Sequence, residues 1–270
     1  MISSPSVSRS LLKLTLVWLS VWPLSCSAPE QPGRWSDPSA GAGGASTSGL
    51  AGQSGGTANP LGRVRCSAPQ GMSTAPRNSL EAVQLLNALP KPTSVACFVE
   101  SLPRPLSVYA SNSPFSAQPA LSTASPRVFI KLDRLWLSIV IDGEGSYLLE
   151  FGELTIDDPL LSIKGELQLP LDEAVAPGAL YKRVQYGEGT VCGLCHSGEQ
   201  RAENGYDAAA FSSAAYRPRP DTHVSIDALR RQHQLCDWQI EPHRCEMLSA
   251  VFDGGPVQEV PFPNSMPTFF

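Results

Sequence analysis

Hydrophobic positions change their rhythm three times along the chain. A mostly apolar run from Leu14 to Leu24 comes first, behind Arg9 and Lys13. Residues 27–62 then carry almost no large apolar side chains and consist largely of Gly, Ser and Ala. Leu80, Val83, Leu86 and Leu89 recur at spacing three, which predicts a short helix capped by Asn78 or Ser79 and ended by Pro90 and Pro92.

From Val95 to about Val184 the pattern becomes a series of short β-type runs separated by turn residues. They are V-A-C-F-V at 95–99, L-S-V-Y-A at 106–110, V-F-I-K-L at 128–132, L-W-L-S-I-V-I at 135–141 and S-Y-L-L-E-F at 146–151. D-G-E-G at 142–145 makes residues 134–151 a β-hairpin. L-L-S-I-K-G-E-L-Q-L at 160–169 alternates in its second half like a half-buried strand. A-L-Y-K-R-V-Q-Y, beginning at Ala179, also reads as strand-like. Trp136, inside an apolar run, is expected in the core. Two short helices follow: one capped by Ser225 and running through Leu235, the other started by Pro242 and ended at Gly254 and Gly255.

The expected class is α+β: an antiparallel β-sandwich-like domain over residues 63–186, with one N-terminal helix, followed by a small, mainly α segment over residues 187–270. The 208 residues from 63 onward suffice for a real core. A formal net charge of -5 argues against a phosphate-backbone ligand, so no nucleic-acid partner is expected.

The N-terminal pattern is that of a secretory signal, residues 1–25, too short to span a bilayer. P-L-S-C at 23–26 resembles the bacterial lipobox, in which the cysteine is acylated and becomes the mature N-terminus. That resemblance implies a lipid anchor at Cys26, with residues 26–62 as a flexible tether holding the domain off a membrane of the cell envelope, in the periplasm or at the outer membrane. Ordinary cleavage near Ala28, leaving no lipid, is the alternative.

If Cys26 takes lipid, six cysteines remain. Cys66 and Cys97 flank the first helix and can be bridged across it. Cys236 and Cys245 lie at facing ends of the last two helices, where a local disulfide is easy to close. Cys192-Gly193-Leu194-Cys195-His196 is the c-type haem attachment pattern. Two thiols three positions apart on one turn can form thioethers to two vinyl groups, and the next residue can direct an imidazole nitrogen to the iron. Small Gly193 is expected to let the backbone pass close to the porphyrin edge. Two other uses stay open: a short-range disulfide beside a surface histidine, and a four-sulfur zinc site combining Cys192, Cys195, Cys236 and Cys245.

A haem iron that carries electrons takes a sixth ligand, often a thioether. Met247 sits on a presumed helix and reads as core; Met266 sits in the extended N-S-M-P-T-F-F. With C-G-L-C-H at 192–196, a helix ending L-S-A-V-F-D-G-G at 248–255 and M-P-T-F at 266–269, residues 187–270 resemble the class I cytochrome c family. The resemblance implies covalent haem c at Cys192 and Cys195, His196 as proximal ligand and Met266 as distal ligand, with His223, His233 and His243 as rivals for the sixth position. It also implies a monohaem single-electron carrier meeting a redox partner protein in the envelope, tethered to the membrane if Cys26 is acylated, and leaves open whether the chain is an enzyme. The alternative is a disulfide-stabilised β-sandwich surface lipoprotein that binds a protein or glycan and carries no haem.

Overall fold

A computed structural model describes residues 65–116, 118–203 and 206–269. The signal peptide at 1–25, Cys26 and the tether at 26–62 lie outside the described residues. In chain order the elements are helices α1 (Ser79–Ala88) and α2 (Val95–Ser101), strands β1 (Leu106–Ser111), β2 (Arg127–Leu132), β3 (Leu135–Val140), β4 (Leu148–Leu154) and β5 (Leu161–Gln168), and helix α3 (Ala179–Arg183). Short strands β6 (Gln185–Tyr186), β7 (Gly189–Thr190), β8 (Gln200–Arg201), β9 (Phe211–Ala214) and β10 (His223–Val224) follow, then α4 (Ile226–Gln234), α5 (Pro242–Phe252) and β11 (Val257–Glu259).

Among the described residues nine strands join one sheet in the order β10-β1-β2-β3-β4-β5-β9-β8, with β11 pairing parallel to β1; β6 and β7 form a separate ribbon. The run β1 to β5 is an antiparallel meander. Its register sorts side chains cleanly, because successive residues of a strand point to opposite faces. Val108, Ile130, Leu137 and Phe151 stand opposite one another across four strands, and the next row is Tyr109, Phe129, Ser138 and Glu150. The first row faces the helices. Ala82, Val83, Leu85 and Leu86 of α1, Phe98 of α2, Leu180 of α3, Leu229 of α4 and Met247 of α5 join it in one buried core.

The α+β class therefore holds. The layer packed on the sheet is helical, where the sandwich-like reading expected a second sheet. Strands β8 to β11, all from the C-terminal segment, extend the sheet made by the earlier strands. The hairpin over 134–151 is present, its turn formed by a 3-10 helix at Glu144–Tyr147. Gly143 has φ +84°, a conformation that costs glycine little.

Two elements differ from expectation. V-A-C-F-V at 95–99 is not a strand: it forms most of α2, whose N-cap Ser94 accepts a hydrogen bond from the Cys97 amide at 3.1 Å. Every one of those five side chains is buried, so the run shows no period that distinguishes helix from strand. The strand-like stretch from Ala179 is one turn of helix, α3, followed by the β6-β7 ribbon. Helix α1 begins where expected, with the Asn78 side chain accepting from the Glu81 amide at 2.8 Å, but Leu80 is exposed and Leu85 takes its place in the core. Helices α4 and α5 also start where predicted, at Ser225 and Pro242.

Both expected disulfides are present. Cys66–Cys97 ties the start of the described chain to α2, and Cys236–Cys245 joins the α4–α5 connection to α5. A carboxylate completes the inner frame: buried Glu153 of β4 accepts from the Ser79 amide at 2.9 Å, at the positive end of α1, and from the Tyr206 hydroxyl at 2.5 Å. Among the described residues no helix is long and apolar enough to cross a membrane.

Candidate functional site

The face of the sheet turned away from the helices carries the second row of side chains, and the C-terminal segments lie over it. Between them is a cavity of about 220 Å³. Its floor comes from Phe129, Trp136, Glu150, Gly152 and Lys164 on β2 to β5. Its walls include Cys192, Cys195 and His196 on one side and Phe262 and Met266 on another. All four residues singled out for haem from the sequence thus line one space. Met247 and the three rival histidines do not.

The C-G-L-C-H segment is a helical turn. Val191–Leu194 forms a 3-10 helix whose cap, the Thr190 hydroxyl, accepts from the Cys192 and Gly193 amides. The Cys195 and His196 amides both donate to the Cys192 carbonyl, at 3.1 and 2.8 Å. The two sulfurs and the imidazole therefore leave a single turn, as their spacing requires. Gly193 has a close neighbour that the sequence did not reveal. A Cβ built there would lie 2.7 Å from the Glu199 carboxylate, which also accepts from the Thr190 amide at 2.9 Å and from its hydroxyl.

The sulfurs differ in state. Cys192 is a free thiol, its pKa pushed up to about 11 by burial, while Cys195 is disulfide-bonded. A zinc cage that includes Cys236 and Cys245 is not formed, because their sulfurs are bonded to each other.

His196 is oriented by its backbone partner. Its Nδ1 lies 2.8 Å from the Ala214 carbonyl oxygen. A carbonyl only accepts, so Nδ1 carries the proton and Nε2 keeps its lone pair, the arrangement of a metal-ligating histidine with its outer contact in place. Burial, with the Lys164 charge nearby, pushes the imidazole pKa down to about 3, so the ring is neutral at physiological pH.

Met266 is buried with Trp136, Ala215 and Phe262 in a small cluster distinct from the main core. Trp136 belongs to the interior as expected and stacks on Phe262 with ring centres 4.0 Å apart, yet it also lines the cavity. Its indole Nε1 is buried without a hydrogen-bond partner. The Met266 loop is clamped by Arg217, whose Nε donates to the Met266 carbonyl and whose amide donates to that of Pro267, at 2.8 and 2.9 Å. Ala214 and Arg217 thus hold His196 and Met266 from one short stretch that continues strand β9.

The rival histidines are engaged elsewhere. His223 pairs with Glu259 at 3.0 Å, His233 with Asp253 at 3.1 Å, and His243 contacts the Ser146 hydroxyl at 2.7 Å. Within the cavity four cationic side chains, Arg127, Lys164, Arg217 and Arg219, accompany two carboxylates, Glu150 and Glu166. Burial raises the Glu150 pKa against the pull of Arg127, with which it is ion-paired. No protein family, curated protein or solved structure matches the chain, so its likeness to cytochromes c rests on the motif residues alone.

Proposed function

We propose that this chain is a monohaem c-type cytochrome that carries single electrons in the cell envelope. The observation supporting this is that His196 and Met266, 70 positions apart in sequence, line one cavity together with Cys192 and Cys195. The donor set fits the group. An imidazole nitrogen with its lone pair free and a buried thioether suit a low-spin iron, and aromatic side chains suit a porphyrin. The cationic surplus suits its two carboxylates, and the orphaned Trp136 N–H is a donor in need of an acceptor.

Bound there, haem supplies a one-electron iron couple whose potential a thioether ligand raises. The chain supplies position and exclusion of water. Ala214 sets the tautomer of His196, Arg217 fixes the Met266 loop, and the Phe129, Trp136 and Phe262 rings exclude solvent. Cys192 and Cys195 would hold the group through thioether links, which need both sulfurs as thiols. Cys195, disulfide-bonded here, would have to be reduced to the thiol by a two-electron dithiol reductant before it could do so. Export and acylation at Cys26 complete the reading, in which the Cys26 sulfur is a thioether that takes part in no disulfide; on it, Cys26→Ser leaves the protein in the soluble fraction.

The test is the absorbance spectrum of the exported protein, before and after denaturation. Haem absorption that stays with the unfolded chain is expected, together with a weak long-wavelength sulfur-to-iron band in the oxidised form. Met266→Ala should remove that band and keep the covalent haem. Met247→Ala should leave the spectrum alone and cost stability of about 2 to 5 kcal/mol, since that side chain is in the main core. A colourless protein from cells that mature other c-type cytochromes refutes the proposal.

A further inference from the structure

Lys164 enters the cavity from β5 with no carboxylate among its hydrogen-bond partners. Its three N–H groups face five acceptors: the hydroxyls of Ser162 and Ser213, both at 2.9 Å, and the carbonyls of Ser162, Ser213 and Ala214 at 3.3, 3.1 and 3.1 Å. The Ala214 carbonyl is the one that receives the His196 Nδ1 proton at 2.8 Å. One oxygen thus lies within reach of two donors, an ammonium and an imidazole N–H, and has a lone pair to offer each.

We infer that Lys164 is a positioning residue that sets how strongly His196 donates to a bound iron, by competing for the Ala214 carbonyl. The inference rests on the haem reading above. A carbonyl devoted to Nδ1–H would draw that proton toward itself, make the imidazole more basic at Nε2 and favour oxidised iron. The ammonium takes part of the same oxygen's electron density and so weakens the Nδ1–H contact. Its charge beside the cavity also disfavours the extra positive charge of oxidised iron. Both effects raise the reduction potential, so they cannot cancel.

The serines make this a built arrangement. Ser162 and Ser213 are opposite each other across β5 and β9, and both hydroxyls turn to the same ammonium. They hold Nζ over the end of β9, where Ala214 sits. Arginine at 164 keeps the charge, while methionine keeps a similar length and removes both charge and donor.

The experiment compares Lys164→Met and Lys164→Arg with the unmodified protein in two measurements. Redox titration of the haem-bearing protein should give a lower potential for Lys164→Met, equivalent to about a tenfold change in the oxidised-to-reduced ratio, ~59 mV for one electron. The arginine variant should restore most of it. In the haem-free chain, the His196 Nδ1 proton resonance should move downfield in Lys164→Met, reporting a stronger hydrogen bond, and stay put in Lys164→Arg. An unchanged potential and an unchanged Nδ1 resonance in Lys164→Met overturn the inference, as does an arginine variant indistinguishable from the methionine one. If the exported protein carries no haem, the cytochrome reading alone falls, and the Nδ1 resonance still decides whether Lys164 and His196 compete for Ala214.

Discussion

His243 stacks on Tyr147 with ring centres 4.8 Å apart and has its Nε2 against the Ser146 hydroxyl. Burial lowers the pKa of this imidazole, with Glu246 and Asp142 working weakly the other way. The folded chain therefore holds His243 neutral at a pH where the unfolded chain protonates it. The unfolded state binds more protons in that window, so stability falls as pH drops below about 6.5, the ordinary imidazole value, and is unaffected above it. His196 acts with the same sign, so the comparison that isolates His243 is between the unmodified protein and His243→Gln. Denaturant midpoints at pH 7.5 and pH 5 should differ more for the unmodified protein than for the variant; equal slopes refute this. Gly193 shows what single residues hide. Its smallness was legible, but the neighbour that lies closest to it, the Glu199 carboxylate, sits across a turn that no spacing rule describes.

At the scale of elements, the disulfides allow a graded prediction. Cys66–Cys97 closes a loop with sequence separation 31, Cys236–Cys245 one with separation 9. In the chain-entropy model, losing the first costs about 4 kcal/mol and losing the second about 3 kcal/mol. Urea unfolding of Cys66→Ser/Cys97→Ser and Cys236→Ser/Cys245→Ser double variants should rank them in that order, and the reverse ranking contradicts it. Both bridges were legible because their cysteines flank helices with clear boundaries. Helix boundaries written in caps and prolines, at Asn78, Ser225 and Pro242, were read correctly. Helix α2 was not, because its apolar side chains are buried all round and mimic a central strand. The signal that identifies it is Ser94, a cap three residues before the amide it serves. Strands β1 to β5 were legible from composition. The two-residue strands β6, β7, β8 and β10 were not, since their pairing depends on tertiary position and not on any run of residues.

The whole molecule divides its stability unequally across the sheet. The helix-covered face buries side chains from all five helices, whereas the cavity face buries Trp136, Ala215, Phe262 and Met266 around an open space. That asymmetry explains why the motif was readable and the site was not. The four haem-directed residues lie in one C-terminal segment, but Trp136 and Lys164 come from strands far upstream and reach the cavity only because period-two alternation turns them to the same face. It also predicts how the chain opens. Elements with few buried contacts open at a lower free energy than the global transition. The Met266 loop is held by a few backbone bonds, such as Phe269 N–H to the Arg217 carbonyl at 3.3 Å and Arg217 N–H to that of Pro267. In the haem-free protein the amides of Arg217, Met266 and Phe269 should therefore exchange with solvent through local openings, while those of Ile130, Leu137 and Leu149 exchange only on global unfolding. On the proposed function, haem would add contacts to the folded cavity alone, so loading should slow the first group far more than the second. Native-state hydrogen exchange on both forms checks this. Uniform protection across the two groups without haem would mean that the cavity face is as firmly folded as the helical one.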